Sequence, residues 1–580
     1  MKEKVIVRRS IPPMENVESL SESELQLQKI FAARGVMPSD KRDYVLQNLF
    51  PPNSMAGIEP AVTLLIDALK AQSRIVIVGD FDADGATSTA LLMRSLLCFG
   101  FNNVEFIVPN RFEYGYGLTP EIVDLAQSYQ PKLIITVDNG ISSVEGVDKA
   151  NDYGIKVLVT DHHLPGRELP RAAAIVNPNQ FGCKFPSKNM AGVGVIFYVM
   201  LAFRAALREQ NWYVKQGVSE PNLAQFLDLV ALGTVADVVP LDFHNRTLVA
   251  QGLQRIRSGA CCVGIQAIFK IANRDLARAS AGDFGFVIGP RLNAAGRLDD
   301  MSLGIRCLLT DDFSEALGLA QELNDLNVER RAIEASMRAE AEQHLKALDA
   351  SQSLAQKNAL CLYRADWHQG VVGILASRIK DKIHRPTIVF SQSGPGILKG
   401  SGRSIPGIHL RDALDEVAVT YPGLLSKFGG HVMAAGLSID EDKLKQFEEA
   451  FDGVVGRQLS DEMKSPILQS DGELSENLRT IEFAKVLEQA GPWGQAFPAP
   501  LFDGVFRLVE QKIVGENHLK LLLCPKEFSD VLIDGIAFSV DKTQWPNNSI
   551  RDVKLAYYLE TNVFRGRESL QLRVEAIELL

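Results

Sequence analysis

Arg74-Ile75-Val76-Ile77-Val78-Gly79-Asp80-Phe81-Asp82-Ala83-Asp84-Gly85 is the stretch on which the fold turns. The apolar run up to Gly79 reads as a buried strand, and Ala86 to Leu97 reads as a helix. Three carboxylates, Asp80, Asp82 and Asp84, therefore crowd the point where a strand stops and a helix begins. They repel one another unless something positive lies between them. In α/β sheets, ligands bind outside the carboxyl ends of the strands, so the cluster reads as a divalent-cation site and the chain as a metal-dependent enzyme.

Outward from this stretch the strand–helix alternation continues. Further strands are expected at Val104–Val108, Leu133–Val137, Val157–Thr160 and Ala174–Val176, with helices such as Pro120–Ser128, Ser142–Asn151, Gly192–Glu209 and Leu223–Leu232. Such alternation implies an α/β fold with a mostly parallel sheet covered on both faces. Before it, residues 1–55 read as a polar helical lead-in, with helical spacing over Ser21–Arg34. The first α/β domain spans residues 56–310. Residues 311–350 are long, charged and free of proline, and read as a connecting helix. A smaller α/β domain follows over 351–457, opening with strands at Ala359–Tyr363 and Thr387–Phe390. Gln458–Ser470 is polar and linker-like. Over 466–580 short alternating runs (Leu501–Leu508, His518–Leu523, Asp530–Phe538, Val553–Leu559, Leu570–Ile577) predict a small all-β barrel.

A chain of 580 residues with 46% hydrophobic and 23% charged residues has the composition of a globular protein of several domains. No long uncharged apolar run suggests a membrane span, and Met1–Arg9 lacks the apolar stretch of a secretory signal. Seven dispersed cysteines without a CxxC pair argue against a disulfide framework or a zinc knuckle; a cytoplasmic location is expected. The net charge of −10 weighs mildly against nucleic acid, but part of it is the acidic cluster itself, which bound metal offsets.

Other acidic and imidazole groups recur at element ends. Asp138 closes the run Leu133–Val137, Asp161-His162-His163 closes Lys156–Thr160, and Asp237 follows the apolar helix Leu227–Leu232 and the turn Gly233-Thr234-Val235-Ala236. In a parallel sheet these ends share one edge. One Asp at a strand end is commonly just a helix N-cap; four such sites are harder to explain that way. Carboxylates with one or two imidazoles suit Mn²⁺ or Mg²⁺. Enough carboxylates for two ions suits a two-metal displacement at phosphorus.

These residues also resemble a known family. Asp80–Gly85, Val137-Asp138-Asn139-Gly140, Asp161-His162-His163 and Gly233–Asp237 look like the four motifs of the DHH phosphoesterase superfamily, and most closely its RecJ branch of single-strand-specific 5′→3′ exonucleases. Trp367–Arg378, Gly400–Ser404 and Gly429–Gly436 resemble the branch's DHHA1 domain, and Gly515–Leu521 with Asn562–Gly566 its OB-fold. Gly491–Pro498 departs from the branch, replacing the usual Gly-Asn before Pro at a domain junction.

The resemblance implies a two-ion Mn²⁺ or Mg²⁺ centre with Asp82, Asp84, Asp138, His162 and Asp237 as ligands. Asp138 would bridge, Asp80 would ligate or support, and His163 would face the scissile phosphate as electrostatic stabiliser or general acid. It implies single-stranded DNA as substrate, taken between the two α/β domains with a pocket for the 5′-phosphate. The products would be 5′-mononucleotides, and the biological role DNA repair and recombination beside a single-strand-binding protein and a helicase. Phosphate contacts are expected from Arg111, from Arg291 or Arg297 in the small-residue loop 289–297, and from Ser377, Arg378, Arg403, Ser404 and His431, since arginine grips phosphate bidentately and glycines admit backbone N–H groups. On the barrel, Lys520 and Arg565 are candidate strand contacts. Phe506, Phe538, Tyr557, Tyr558 and Phe564 are candidate stackers, although aromatics in short strands are more often core. Two other readings stand beside this one: a phosphodiesterase for short oligonucleotides or cyclic dinucleotides, and an inactive strand-binding scaffold.

Overall fold

The computed structural model describes residues 4–14, 18–37, 39–40, 43–110, 113–350, 353–526, 531–564 and 566–580, without the side chains of residues 350, 353, 355 and 564. Arg111 and Arg565 lie outside the described residues. The chain divides into two compact units. One comprises residues 41–329 with 491–499, the other residues 1–40, 330–490 and 500–580.

After β1 (Val5–Arg8), which belongs to the second unit, the first unit is built on β2 (Ile75–Val78), β3 (Val104–Ile107), β4 (Leu133–Val137), β5 (Lys156–Thr160) and β6 (Ala174–Val176). Their order is β3-β2-β4-β5-β6 and every neighbouring pair is parallel. β2 and β4 are buried along their whole length, as strands with both faces covered must be, which is why they read as unbroken Ile/Val/Leu runs. β3 and β4 lie on opposite sides of β2, so the strand order reverses there. The crevice at the carboxyl ends of β2 and β4 is thus the topological switch point where α/β sheets bind ligands.

Two local expectations change. Residues 289–297 form no loop: a π-helical turn, Phe284–Ile288, runs into an α-helix, Gly289–Leu298, with proline in its first turn. Its small residues serve packing, since a Cβ on Gly296 would sit 1.8 Å from the Phe81 carbonyl oxygen. Likewise Gly233–Ala236 is no turn but the last part of the helix Leu227–Ala236, with Asp237 as its C-cap.

The long helix is continuous over Phe313–Ala350; the division between units falls within it, between Glu329 and Arg330, and the second unit continues from there. A mixed sheet follows, made of β7 (Leu360–Tyr363), β8 (Thr387–Gln392), β9 (Ile397–Arg403), β10 (Lys427–Gly430) and β11 (Ala434–Asp440) in the order β10-β11-β9-β8-β7. The lead-in is not simply helical. Among the described residues of the second unit's part of it, Glu22–Ala32 is the helix, opened by a capping box between Ser21 and Glu24. Val5–Arg8 is a strand, pairing parallel with β12 (Ile467–Ser470) inside the stretch expected to be a linker. Arg34 fixes this arrangement, its two Nη atoms lying 2.6 and 2.9 Å from the buried Asp471 carboxylate. The chain ends in a closed barrel of β13 (Phe502–Val514), β14 (His518–Pro525), β15 (Ile533–Ala537), β16 (Asp552–Phe564) and β17 (Arg567–Leu579), ordered β13-β14-β15-β17-β16.

Candidate metal centre and substrate-binding residues

Four chain segments bring carboxylates and an imidazole together at the switch point. His162 Nε2 lies 3.0 Å from Asp138 Oδ1, 3.4 Å from Asp237 Oδ2 and 4.0 Å from Asp84 Oδ2. Ligand-type atoms of Asp84, His162 and Asp237 fall within 4.8 Å of one another, as do those of Asp80, Asp82 and Asp138, and those of Asp138, His162 and His163. Asp82 N-caps the Ala83–Cys98 helix, accepting the N–H groups of Asp84 and Gly85 through one oxygen, Oδ1. Asp80 Oδ1 accepts from Phe81 N–H. Asp138 takes the left-handed conformation (φ +63°), which Asp and Asn adopt more readily than other side chains; the break ends β4 and turns the carboxylate into the crevice.

Close approach depends on glycines. Asp84 accepts the amides of Gly192 and Val193 at 2.5 and 3.0 Å, so the positive N-terminus of the Gly192–Glu209 helix faces it. A Cβ on Gly192 would lie 2.7 Å from Asp138 Cβ, and one on Gly233 would lie 2.7 Å from Asp84 Oδ1. Asp161 has both oxygens committed. Oδ2 accepts from Ile141 N–H, while Oδ1 accepts from the amides of His162 and His163 and sits 2.7 Å from His163 Nδ1.

The electrostatics follow from burial. Asp84 is pushed up to about 7, first by burial and then by repulsion from Asp82. Burial, then the neighbouring carboxylates, drives Asp138 and Asp237 well above the ordinary range. Burial alone would also raise Asp161, but the His163 hydrogen bond, the two imidazoles and a backbone amide outweigh it and hold it low. Burial opposes a charged His163, yet the Asp161 bond and charge, with Asp80 and Asp82, raise it. Asp138 Oδ1 is buried and accepts no hydrogen bond among the described residues. A set of carboxylates forced together in this way, with an imidazole in reach, has the chemistry of a hard divalent-cation site.

Reading the sequence singled out these residues but missed those that set them. Tyr116 donates to the Asp138 carbonyl at 3.1 Å and its hydroxyl lies 3.3 Å from His163 Nδ1. Asn293 Oδ1 accepts from Ala83 N–H at 2.7 Å. Tyr116 lies in the glycine-rich Gly115-Tyr116-Gly117, a signal that went unused; nothing near Gly192 announced its role. Beside Phe81 a recess of about 320 Å³ opens, lined in part by Asn110, Tyr114, Gly296 and Asp299.

The expected phosphate contacts come from both units. Arg291 reaches Val287 O and Asn324 Oδ1, and Arg297 stands in the last turn of its helix. In the second unit, Arg378 is exposed and donates from Nε to the buried Glu334 at 2.8 Å. Arg403 Nη1 donates to Gly402 O and Ser401 Oγ. A Cβ on Gly373, at the start of the Val372–Ile383 helix that carries Ser377, would lie 3.0 Å from Arg403 Nη2. His431 is exposed. Ser404 departs from expectation: it is buried and its hydroxyl closes a turn on Ile408 O. On the barrel, Lys520 lies 3.6 Å from Asp534. Phe506 and Tyr557 are core, Phe538 is exposed beside His518, and Tyr558 is covered by Arg573.

Residues 74–234 match the family model of the DHH family N-terminal domain, 356–457 that of the DHHA1 domain, and 470–576 that of the RecJ OB domain. The single-stranded-DNA-specific exonuclease RecJ of Escherichia coli (strain K12) is 52% identical over 551 residues, 95% of each chain. That of Haemophilus influenzae is 48% identical over 579 residues, 99% of each chain. The chain belongs to the RecJ family. A crystal structure of RecJ from Thermus thermophilus in complex with Mn²⁺ matches all of this RecJ-family chain and 80% of its own, at a TM-score of 0.80 and 29% identity. The DHH model takes in Asp80–Gly85, Asp138 and Asp161–His163 and stops three residues short of Asp237. Among the described residues no helix is long and apolar enough to cross a membrane.

Proposed function

We propose that this RecJ-family chain is a metal-dependent exonuclease that shortens single-stranded DNA from its 5′ end to 5′-mononucleotides, taking Mn²⁺ or Mg²⁺ as cofactor. The observation that carries the reading is the convergence of Asp84, Asp138, His162 and Asp237, from four separate segments, at the switch point of the parallel sheet. Asp82, Asp84, Asp138, His162 and Asp237 would hold the cations, with Asp138 shared between them, since its carboxylate groups both with Asp80 and Asp82 and with His162 and His163, and Asp80 would ligate or support. Divalent ions there supply Lewis-acid neutralisation of the charge that builds up in displacement at phosphorus.

The chain's own residues do the rest. Asp161 fixes the His163 ring through Nδ1 and favours its charged form, so Nε2 can face a phosphate oxygen and stabilise or protonate it. Tyr116 holds the Asp138 backbone and borders the same ring. In the first unit Arg111 and Arg291 or Arg297, and in the second unit Ser377, Arg378, Arg403 and His431, are the candidates for contact with the 5′-phosphate and backbone, while the buried Ser404 hydroxyl is taken by Ile408 O. Lys520 and Arg565 serve the strand on the barrel. The family's names support single-stranded DNA as substrate, and a cytoplasmic role in DNA repair and recombination beside a single-strand-binding protein and a helicase follows from the same kinship.

Degradation of single- and double-stranded DNA and RNA, labelled at either end, with Mn²⁺, Mg²⁺ or EDTA, tests this. The expected outcome is metal-dependent release of 5′-labelled mononucleotide from single-stranded DNA alone. Turnover of dinucleotides but not longer strands, or strand binding without hydrolysis, would overturn it.

A further inference from the structure

Between Ala490 and Pro500 the chain leaves the second unit, spends nine residues as part of the first, and returns. The contacts of this strap fall on the turn that follows Asp237. Leu241 N–H donates to Gln495 O at 2.8 Å. The Leu241 carbonyl accepts from Arg246 Nη1 at 2.7 Å, and Arg246 Nε reaches Tyr44 Oη. Arg246 is 5% exposed, and its guanidinium lies 4.0 Å from the ring centroid of Phe497, itself buried. Trp493 stacks on Phe497, with ring centroids 5.2 Å apart and planes 12° from parallel. Gly494 is small enough to pass, since a Cβ there would lie 2.7 Å from Leu241 Cδ1.

The turn so held is under strain. Val238, next to Asp237, is β-branched and left-handed at φ +61°, and 62% exposed. A β-branched residue pays for that conformation and keeps it only where its surroundings over-determine it. On one side stands the Leu227–Ala236 helix. On the other stand Pro240, whose carbonyl accepts from Asn245, and Leu241, whose amide and carbonyl are taken by the strap and by Arg246. A turn released from the clamp would be free to relax its strained residue and so to shift the carboxylate beside it.

We infer that residues 491–499 are a positioning element of the metal centre: Phe497 and Gln495 lock Arg246 and Leu241, and through the strained turn set where Asp237 sits. Phe497 and Arg246 are positioning residues and touch neither metal nor DNA. The inference rests on Asp237 being a cation ligand. Direct hydrogen-bond partners of a metal ligand carry about 10- to 100-fold in metal affinity, and the strap, acting on Asp237 at a further remove, belongs at the lower end of that range.

The test uses the full chain and titrates Mn²⁺ calorimetrically without DNA, beside thermal melts and steady-state kinetics. Phe497→Leu keeps a large apolar side chain and removes the aromatic face; its Mn²⁺ affinity should fall about ten-fold in a folded protein. Saturating Mn²⁺ should restore kcat, KM for single-stranded DNA should hold, and Phe497→Tyr should behave like the parent. Phe497→Ala should show the same loss more strongly, and if it fails to fold, Phe497→Leu carries the test. A merely structural role would lower the melting temperature and leave the Mn²⁺ affinity of the folded protein unchanged, which overturns the inference. Asp237→Asn separates the two claims. If it binds Mn²⁺ as the parent does, the ligand reading fails and the strap's role with it; if it binds weakly while the folded Phe497 variants bind normally, only the strap's role fails.

Discussion

Asp84, Asp138 and Asp237 are carboxylates that the fold forces above their ordinary pKa. An acid whose folded value exceeds its unfolded value adds stability that is complete below the unfolded value, about 4, and is lost as pH rises through the folded one. For Asp84 the window closes at about 7. Metal-free protein should therefore lose thermal stability from this cluster as pH rises between about 4 and 7, and Mn²⁺, which needs the ionised carboxylates, should give a gain that widens over the same interval. Melts in EDTA and in Mn²⁺ across that range check this, and parallel curves would contradict it. Asp138→Asn should raise the melting temperature in EDTA near neutral pH while abolishing the Mn²⁺ response, by about 2–4 °C for each kcal/mol of repulsion relieved.

The elements that deliver these residues were legible where the signal is local. β2, β4 and β5 fall within a residue of their expected bounds, because a buried parallel strand must be an unbroken apolar run. Two misreadings share one cause. Gly233–Ala236 and Gly289–Arg297 look like turns because they are rich in small residues, yet both are helical. Their glycines answer to a neighbour's backbone or carboxylate rather than to a turn, and no local pattern announces a neighbour distant in sequence. Gly192 is the sharpest case, pressed against Asp138 from the opening of its helix. Gly192→Ala should cost about 1–3 kcal/mol through overpacking and weaken Mn²⁺ binding by displacing Asp138 or the amides on Asp84. Chemical denaturation and Mn²⁺ titration measure the two effects, and an unchanged affinity would show that the approach is not needed for the site.

Across the whole molecule, the lead-in was the least readable part. Val5–Arg8 finds its partner strand at Ile467–Ser470 and Arg34 finds Asp471, pairings between distant ends of the chain that composition and spacing do not encode. The two units should melt separately or as a split transition. Mn²⁺ should raise only the transition of residues 41–329 with 491–499. Arg34→Ala, which strands the buried Asp471 carboxylate, should lower only the other, by about 3–5 kcal/mol. Differential scanning calorimetry reads both, and a single transition moved alike by both changes would contradict it. The most direct test of the central claim remains hydrolysis. On 5′-labelled single-stranded DNA with Mn²⁺, the parent chain should release labelled mononucleotide, and Asp138→Asn, folded and at least as heat-stable in EDTA, should release none. Release by Asp138→Asn at the parent's rate, or by the parent in EDTA, would contradict the account.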